Sequence, residues 1–332
     1  MECTVEAIDE AVPGERWQSL FKRHWPAYRH WFLSEGHSPR PPYLTSKKAL
    51  REHMPELIPV YEQLVELAGG GDMAARFLTL YCPPAYLRGC TQAVWSGPSP
   101  LLVRNYDYSP QLFEGTILRT NWNGRVVIGT GDCLWGLVDG INQDGLVLSL
   151  SFGGRRVVGK GFGVPLLLRY VLEFCSSTAE AVEALCRVPT HMAYNILALD
   201  RSGDFKTVQI CPNRQPEIKQ VPYSTNHQGS VEWHQHATAT RTIERERTVI
   251  RRLEDFRYDA GQFVQSFLMP PLHSRAYRRG FGTLYTAVYR PHTLELEYLW
   301  PDGRWWQSIA AFEEGRRTVD FPQVPSSLEL FH

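Results

Sequence analysis

Leu87-Arg88-Gly89-Cys90-Thr91-Gln92 is the point at which the texture of this 332-residue chain changes. Upstream, residues 1 to about 89 read as helical, with Leu57, Val60, Tyr61, Leu64, Val65 and Ala68 recurring at the spacing of one helix face. Gly69-Gly70-Gly71 ends that helix, Asp72 is the expected N-cap of the next, and Cys82-Pro83-Pro84 stops it. Downstream, Val, Ile, Leu and Tyr cluster in short runs, and strands are expected at 91–95, 101–107, 116–121, 125–131, 136–141 and 145–151. Asn123-Gly124 and Asn142-Gln143-Asp144-Gly145 are the hairpin turns of this antiparallel meander.

Two helices follow, one through Pro165 to Cys175 and one opened by the capping box Ser177-Thr178-Ala179-Glu180. Strands return at about 193–200, 205–211 and 217–223, a charged helix runs over 238–257, and a shorter one from Ala260 to Leu268. Strands at 283–289 and 293–299 close the chain, and the tail after Pro322 reads as irregular. Strands and helices thus alternate in blocks, which makes this an α+β chain in stacked layers. The expected division is a helical N-terminal segment, 1–89, and a second domain, 90–332.

Composition narrows the function. With 35 basic and 35 acidic side chains the formal net charge is zero, so no global field attracts nucleic acid or an anionic membrane surface. Met1-Glu2-Cys3-Thr4-Val5-Glu6 lacks the basic and apolar regions of a secretory signal, and the apolar run from Val164 to Cys175 contains Arg169 and is far shorter than the roughly 20 residues of a membrane span. Seven scattered cysteines without a CxxC pair fit a reducing compartment, and the expectation is a cytoplasmic protein. His234-Gln235-His236 has no third ligand in a metal-binding pattern, so neither metal nor other cofactor is implied.

Three polar interruptions carry chemistry. Cys90 follows a glycine at the start of the first downstream strand. Arg104 and Asp107 end the apolar strand Leu101-Leu102-Val103-Arg104-Asn105-Tyr106-Asp107 three residues apart; on a regular strand they face opposite sides, so one shared site requires a bulge or strand end, and a surface ion pair is the other reading. Tyr223-Ser224-Thr225-Asn226-His227 offers an Asn side chain able to donate to an oxyanion, or an Asx turn. Cys133, Cys175, Cys186 and Cys211 lie in apolar runs and read as core. Trp95, Trp122 and Trp135 read either as the lining of an acyl pocket or as core.

Gly-Cys-Thr at 89–91, Arg-x-x-Asp at 104–107, Asn-Gln-Asp-Gly-Leu at 142–146, Thr-Asn-His at 225–227 and a Thr-x-x-Arg on the following helix together resemble the motif series of the choloylglycine hydrolase superfamily. The long N-terminal segment and internal Gly-Cys are most similar to its isopenicillin N acyltransferase branch of self-cleaving cysteine enzymes. The resemblance covers roughly 50–300 and implies an αββα four-layer sandwich of the N-terminal-nucleophile (Ntn) hydrolase kind, preceded by a helical pro-segment. It implies Cys90 as nucleophile, Arg104 and Asp107 as charged neighbours, Asn226 as oxyanion donor and Arg245 as a buried organiser. Thr238-Ala239-Thr240-Arg241 fits the last pattern as well as Thr242-Ile243-Glu244-Arg245, and Arg245 is preferred because Val249 and Leu253 continue its helical spacing. The chain departs from the family with Thr before that Arg, Gln228 after Asn-His, and Ser151 where bile-salt hydrolases carry Asn.

The constellation suits a zymogen that cuts itself between Gly89 and Cys90. A free α-amine has a pKa of about 7.7–8.0, close to the thiol's, so an N-terminal cysteine carries its own base. The expected activity is cleavage or transfer of the acyl group of a small N-acylated amide through a Cys90 thioester, with water, an amine or an acyl thioester donor as co-substrate. A catalytically inactive binding protein on the same fold, or a conventional cysteine hydrolase using His227 as base, are the alternatives. An oligomer is compatible with the sequence.

Overall fold

Val5 and Ala7 alternate with Thr4 and Glu6 at the start of the chain, a period of two that builds a strand, β1 (Glu2–Glu10). The computed structural model, which describes residues 1–86 and 89–321, pairs β1 in parallel with β4 (Thr116–Thr120) and antiparallel with β16 (Gly315–Asp320). This corrects the expectation of an all-helical segment up to residue 89: helices begin only with α1 (Glu15–Phe32), followed by α2 (Tyr43–His53), α3 (Ile58–Leu67) and α4 (Asp72–Leu78). Gly71 takes the N-cap position expected of Asp72, whose carboxylate instead pairs with Arg76 one turn on, at 3.4 Å.

Two sheets follow. β2 (Gly89–Trp95) and β3 (Leu101–Tyr108) form a hairpin in one, while β4, β5 (Val127–Asp132), β6 (Gly136–Asn142) and β7 (Val147–Phe152) meander through the other. Helices α5 (Val164–Phe174) and α6 (Thr178–Arg187) lead to β8 (Tyr194–Leu199), β9 (Phe205–Cys211) and β10 (Arg214–Lys219), which extend the second sheet. The strand expected at 217–223 is therefore two, because β11 (Tyr223–Ser224) crosses to pair with β2. The charged helix breaks at Arg241, whose φ of 51° is left-handed, into α7 (His234–Ala239) and α8 (Thr242–Glu254). After α9 (Ala260–Ser266) come β12 (Arg275–Ala276), β13 (Phe281–Arg290), β14 (Glu295–Trp300), β15 (Gly303–Ser308) and β16, the last two beyond the pair expected to close the chain. The tail after Pro322 lies outside the described residues, as do positions 87 and 88.

Three apolar interfaces stack these elements into an αββα sandwich, as expected. The first packs Trp17, Leu20, Phe77, Leu168 and Leu172 of the early helices and α5 on Leu118, Val138, Leu148 and Ile196 of the nine-stranded sheet. The second interleaves Val5, Ile117, Ile128 and Ile141 of that sheet with Leu102, Tyr285, Tyr289 and Leu296 of the other. The third covers Ala93, Val103 and Val288 with Val249 of α8 and Phe263 of α9. Arg169, which interrupts the apolar run of α5, is buried and ion-paired to Glu173 one turn on at 2.7 Å. Among the described residues no helix is long and apolar enough to cross a membrane.

Candidate active site

Gly89 begins β2 beneath the ring of Phe281, and a Cβ at this position would lie 1.8 Å from a ring carbon, so only glycine fits. That packing sets the depth at which Cys90 enters the sheet, where the residue is fully buried. The β2–β3 ladder is regular, pairing Gly89 with Asp107, Cys90 with Tyr106 and Gln92 with Arg104. No bulge turns Arg104 and Asp107 to one side; the register shift in this region lies between Thr283 and Tyr285 on β13. Cys90, Gln92, Arg104 and Tyr106 therefore face the neighbouring sheet, while Thr91, Asn105 and Asp107 face the helical layer. The site is wrapped around the start of β2 and uses both faces.

On the inter-sheet side, Arg104 Nη2 donates to the Cys90 sulfur at 3.2 Å. Its Nη1 donates to the Val138 carbonyl at 2.9 Å, lies 3.3 Å from the Tyr285 hydroxyl, and is ion-paired with Asp139. Burial alone would depress this guanidinium, but the sulfur, Tyr285 and Asp139 together hold it above its ordinary value, so it is a cation.

On the helical side, Arg245 of α8 gathers the main chain around Cys90. Its Nη1 donates to the Cys90 carbonyl at 2.7 Å and the Thr91 hydroxyl at 2.6 Å, its Nη2 to Asn226 Oδ1 at 2.6 Å, and its Nε to the Thr240 carbonyl at 2.8 Å. Asp107 Oδ2 lies 3.4 Å from the same Nη1, and Thr283 donates to Oδ1 at 2.6 Å. Burial pushes the Asp107 carboxyl up against the pull of Arg245, Thr283 and Arg104, and burial likewise lowers Arg245. Of the two candidate organisers the buried one is Arg245; Arg241 is exposed and paired with Glu244 at 2.6 Å.

A guanidinium only donates, so Asn226 must present its oxygen to Arg245. The same Oδ1 accepts the Cys90 N–H at 3.1 Å, and Nδ2 donates to the Phe152 carbonyl at 3.2 Å. In the chain joined at Gly89, then, the group on the Cys90 nitrogen is Asn226, while Asp107 reaches that residue through Arg245. Gly154 makes room for the loop: its φ is 69°, and a Cβ there would stand 2.3 Å from the Asn226 carbonyl. The Asn226 N–H donates to the Thr242 hydroxyl at 2.7 Å.

His227 directs Nδ1 at the hydroxyls of Thr225 and Thr242, 3.3 and 3.2 Å away, and Nε2 at Glu246, 3.3 Å away. Both ring nitrogens are engaged in bracing the Asn226 loop. Gln228 pins main chain, donating to the carbonyls of Tyr194 at 3.0 Å and Ile210 at 3.2 Å, and Ser151 donates to the Thr225 carbonyl at 2.7 Å. The tryptophans serve the core: Trp135 donates to the Leu78 carbonyl at 2.9 Å, Trp122 to that of Glu10 at 2.8 Å, and Trp95 packs on Phe263. Beside Tyr106, across from Cys90, Phe113 and Tyr108 lead into a cavity of about 160 Å³ also lined by Tyr28, Trp31, Tyr86 and Cys133. Its wall includes Glu114, whose carboxyl is pushed up to about 7 by burial and by Asp132.

Sequence reasoning missed Asp139 and Thr283, and it read Thr242 only as the first residue of the Thr-x-x-Arg motif, not as the hydroxyl that accepts the Asn226 N–H. Asp139 had a readable signal, a lone acid between Val138 and Gly140 in an apolar strand; Thr283 had none. Among the described residues no group of three or more His, Cys, Asp or Glu is arranged to hold a metal ion.

Residues 95–305, more than half of the chain, match the model of the family described as acyl-coenzyme A:6-aminopenicillanic acid acyl-transferase. The matched stretch contains Arg104, Asp107, Asn226 and Arg245 and begins just after Cys90. No curated protein matches the chain. Among solved structures it is similar to penicillin V acylase from Agrobacterium tumefaciens, with 17% identity and a TM-score of 0.48 over 67% of this chain and 86% of that one. It is also similar to the Caenorhabditis elegans ortholog of N-acylethanolamine-hydrolyzing acid amidase, with 18% identity and a TM-score of 0.44 over 70% of this chain and 100% of that one. A mutant of conjugated bile acid hydrolase from Clostridium perfringens aligns at 12% identity and a TM-score of 0.42, over 70% of this chain and 97% of that one.

Proposed function

The chain belongs to the acyl-coenzyme A:6-aminopenicillanic acid acyl-transferase family, and from that membership we propose a self-processing N-terminal cysteine amidohydrolase or acyltransferase, acting on the acyl group of a small N-acylated compound through a Cys90 thioester. The observation that carries this reading is the convergence on one cysteine of Arg104 at its sulfur, Asn226 at its nitrogen and Arg245 at its carbonyl.

Processing begins when the Cys90 thiol attacks the Gly89 carbonyl. The C–N bond breaks as the acyl group moves from nitrogen to sulfur, and water hydrolyses that thioester to leave a Gly89 carboxylate, a free thiol and a free Cys90 amine. A cation beside a thiol favours its ionised form, which is the service Arg104 performs. In turnover the amine takes the thiol proton and returns it to the leaving amine, and Asn226 Nδ2 stabilises the tetrahedral oxyanion. Asp107, through Arg245 or directly once the amine is free, holds the new terminus in place. Water as acceptor makes the enzyme a hydrolase; an amine taking the acyl group from an amide or an acyl thioester donor makes it an acyltransferase.

The cut separates residues 1–89 from 90–332 covalently, while β1 keeps its place between β4 and β16. That placement supports reading the N-terminal piece as a retained subunit of the mature enzyme. Intact mass of purified protein tests this reading: two fragments divided at Gly89-Cys90 that co-elute under native conditions, with Cys90→Ala remaining whole. An uncut wild-type chain inert toward N-acyl amino acids, penicillins and bile-salt conjugates would sink it.

A further inference from the structure

Arg104 does its work on Cys90 from a distance set by the other sheet. β6 grips Nη1 twice, by the Val138 carbonyl at 2.9 Å and by the Asp139 carboxylate, leaving Nη2 for the sulfur. Because a guanidinium is planar and rigid, fixing one terminal nitrogen and its plane fixes the other. Asp139 is itself immobilised: Tyr285 donates to Oδ2 at 2.7 Å, Tyr289 to Oδ1 at 2.7 Å, and the Thr130 N–H to Oδ1 at 3.3 Å. All of these groups are buried between the sheets, where water offers no substitute partner.

We propose that Asp139, clamped by Tyr285 and Tyr289, is a positioning residue that holds the Arg104 guanidinium against the Cys90 sulfur. This rests on the reading of Cys90 as nucleophile. Position and charge act in opposite directions here. As a bare anion beside Arg104, Asp139 weakens the pull of the cation on the sulfur, and removing it would make the thiol ionise more readily. As the clamp, its removal lets the guanidinium pivot away, and the thiol ionises less readily.

The test is the pH dependence of Cys90 alkylation by iodoacetamide, a neutral reagent, read by peptide mass in the purified full chain. Asp139→Asn is expected to move the midpoint upward by about one pH unit, roughly a tenfold slower reaction at neutral pH. Tyr289→Phe, which removes one hydroxyl from the clamp, is expected to shift it the same way by about two- to threefold in rate, with a melting curve close to wild type. If Asp139→Asn fails to fold, Tyr289→Phe alone decides. An unchanged or downward midpoint in the folded variants overturns the proposal. Because alkylation needs no amide substrate, this result stands apart from whether the chain processes itself or turns over a substrate.

Discussion

On the inter-sheet face of β3, Arg104 divides its guanidinium between Asp139 and the Cys90 sulfur; on the opposite face Asp107 meets Arg245, whose nitrogens go to the Cys90 and Thr240 carbonyls, Thr91 and Asn226. Both pairs are buried, and a buried pair is weak evidence of stabilisation because desolvation opposes the Coulomb attraction. What separates them is where the remaining donors point. One arginine keeps a nitrogen for the Cys90 sulfur, while the other braces oxygen atoms of the Cys90 and Thr240 main chain and of the Thr91 and Asn226 side chains. A third buried carboxyl, Glu114, has the Tyr28 hydroxyl at 2.6 Å and the Leu134 N–H at 3.0 Å as donors, and burial and the nearby Asp132 push it up to about 7.

The contrast breaks first at Arg245. Arg245→Met should lower unfolding free energy by about 3–5 kcal/mol, because it strands Asp107 and four acceptors together; a urea midpoint within error of wild type would show that the helical face is no brace. Asn226→Ala is expected to slow self-cleavage and kcat by about 10²–10³, or about 2.7–4 kcal/mol of barrier, the usual loss for one oxyanion donor. Unaltered single-turnover rates would remove Asn226 from the chemistry.

Glu114 sharpens the comparison through pH. Its folded value of about 7 lies above the ordinary 4.5, so the folded state holds the proton more tightly; the stabilisation is complete below about 4.5 and is lost as pH rises to about 7. The permanently neutral Glu114→Gln should therefore gain on wild type between about pH 5 and pH 8, by about 3 kcal/mol at most. Parallel stability curves for the two proteins would refute that. Least affected should be His227→Gln, with activity within about tenfold of wild type, a change under about 1.4 kcal/mol. Near-total loss would restore His227 as a base.

Much of this molecule is legible from local pattern. The strands from β2 to β9 stand within a few residues of their apolar runs, and Ser177 caps α6 by accepting the Glu180 N–H at 3.3 Å. Glu180 turns its own carboxylate to the Ser176 N–H at 2.6 Å, so only half of the expected capping box forms. Cys90, Arg104, Asp107, Asn226 and Arg245 stand out in the sequence because each is a polar residue set at an element end or in a motif, and the structure gathers them around the start of β2. The division of Arg104 and Asp107 between two faces follows from the unbroken β2–β3 register; a shared face requires a bulge or a strand end.

Other features were legible only in part. β1 is nine residues long and stands beside a long helical stretch, so its period of two is a weak signal in the sequence. β15 and β16 hide in a polar stretch in which Trp305 and Val319 are among the few buried side chains.

The sequence alone determined the order of elements from β2 to β9, the glycine before the cysteine and the chemical types available to the site, since these depend on spacing and on intrinsic side-chain chemistry. Tertiary structure decided which strands became neighbours, which arginine was buried and which acid stood behind Arg104. Asp139 lies 35 positions from Arg104, and Asn226 and Arg245 reach Cys90 across still longer separations. Such contacts follow from the stacking of two sheets and a helical layer, and residues within one strand or helix carry no local trace of what will face them.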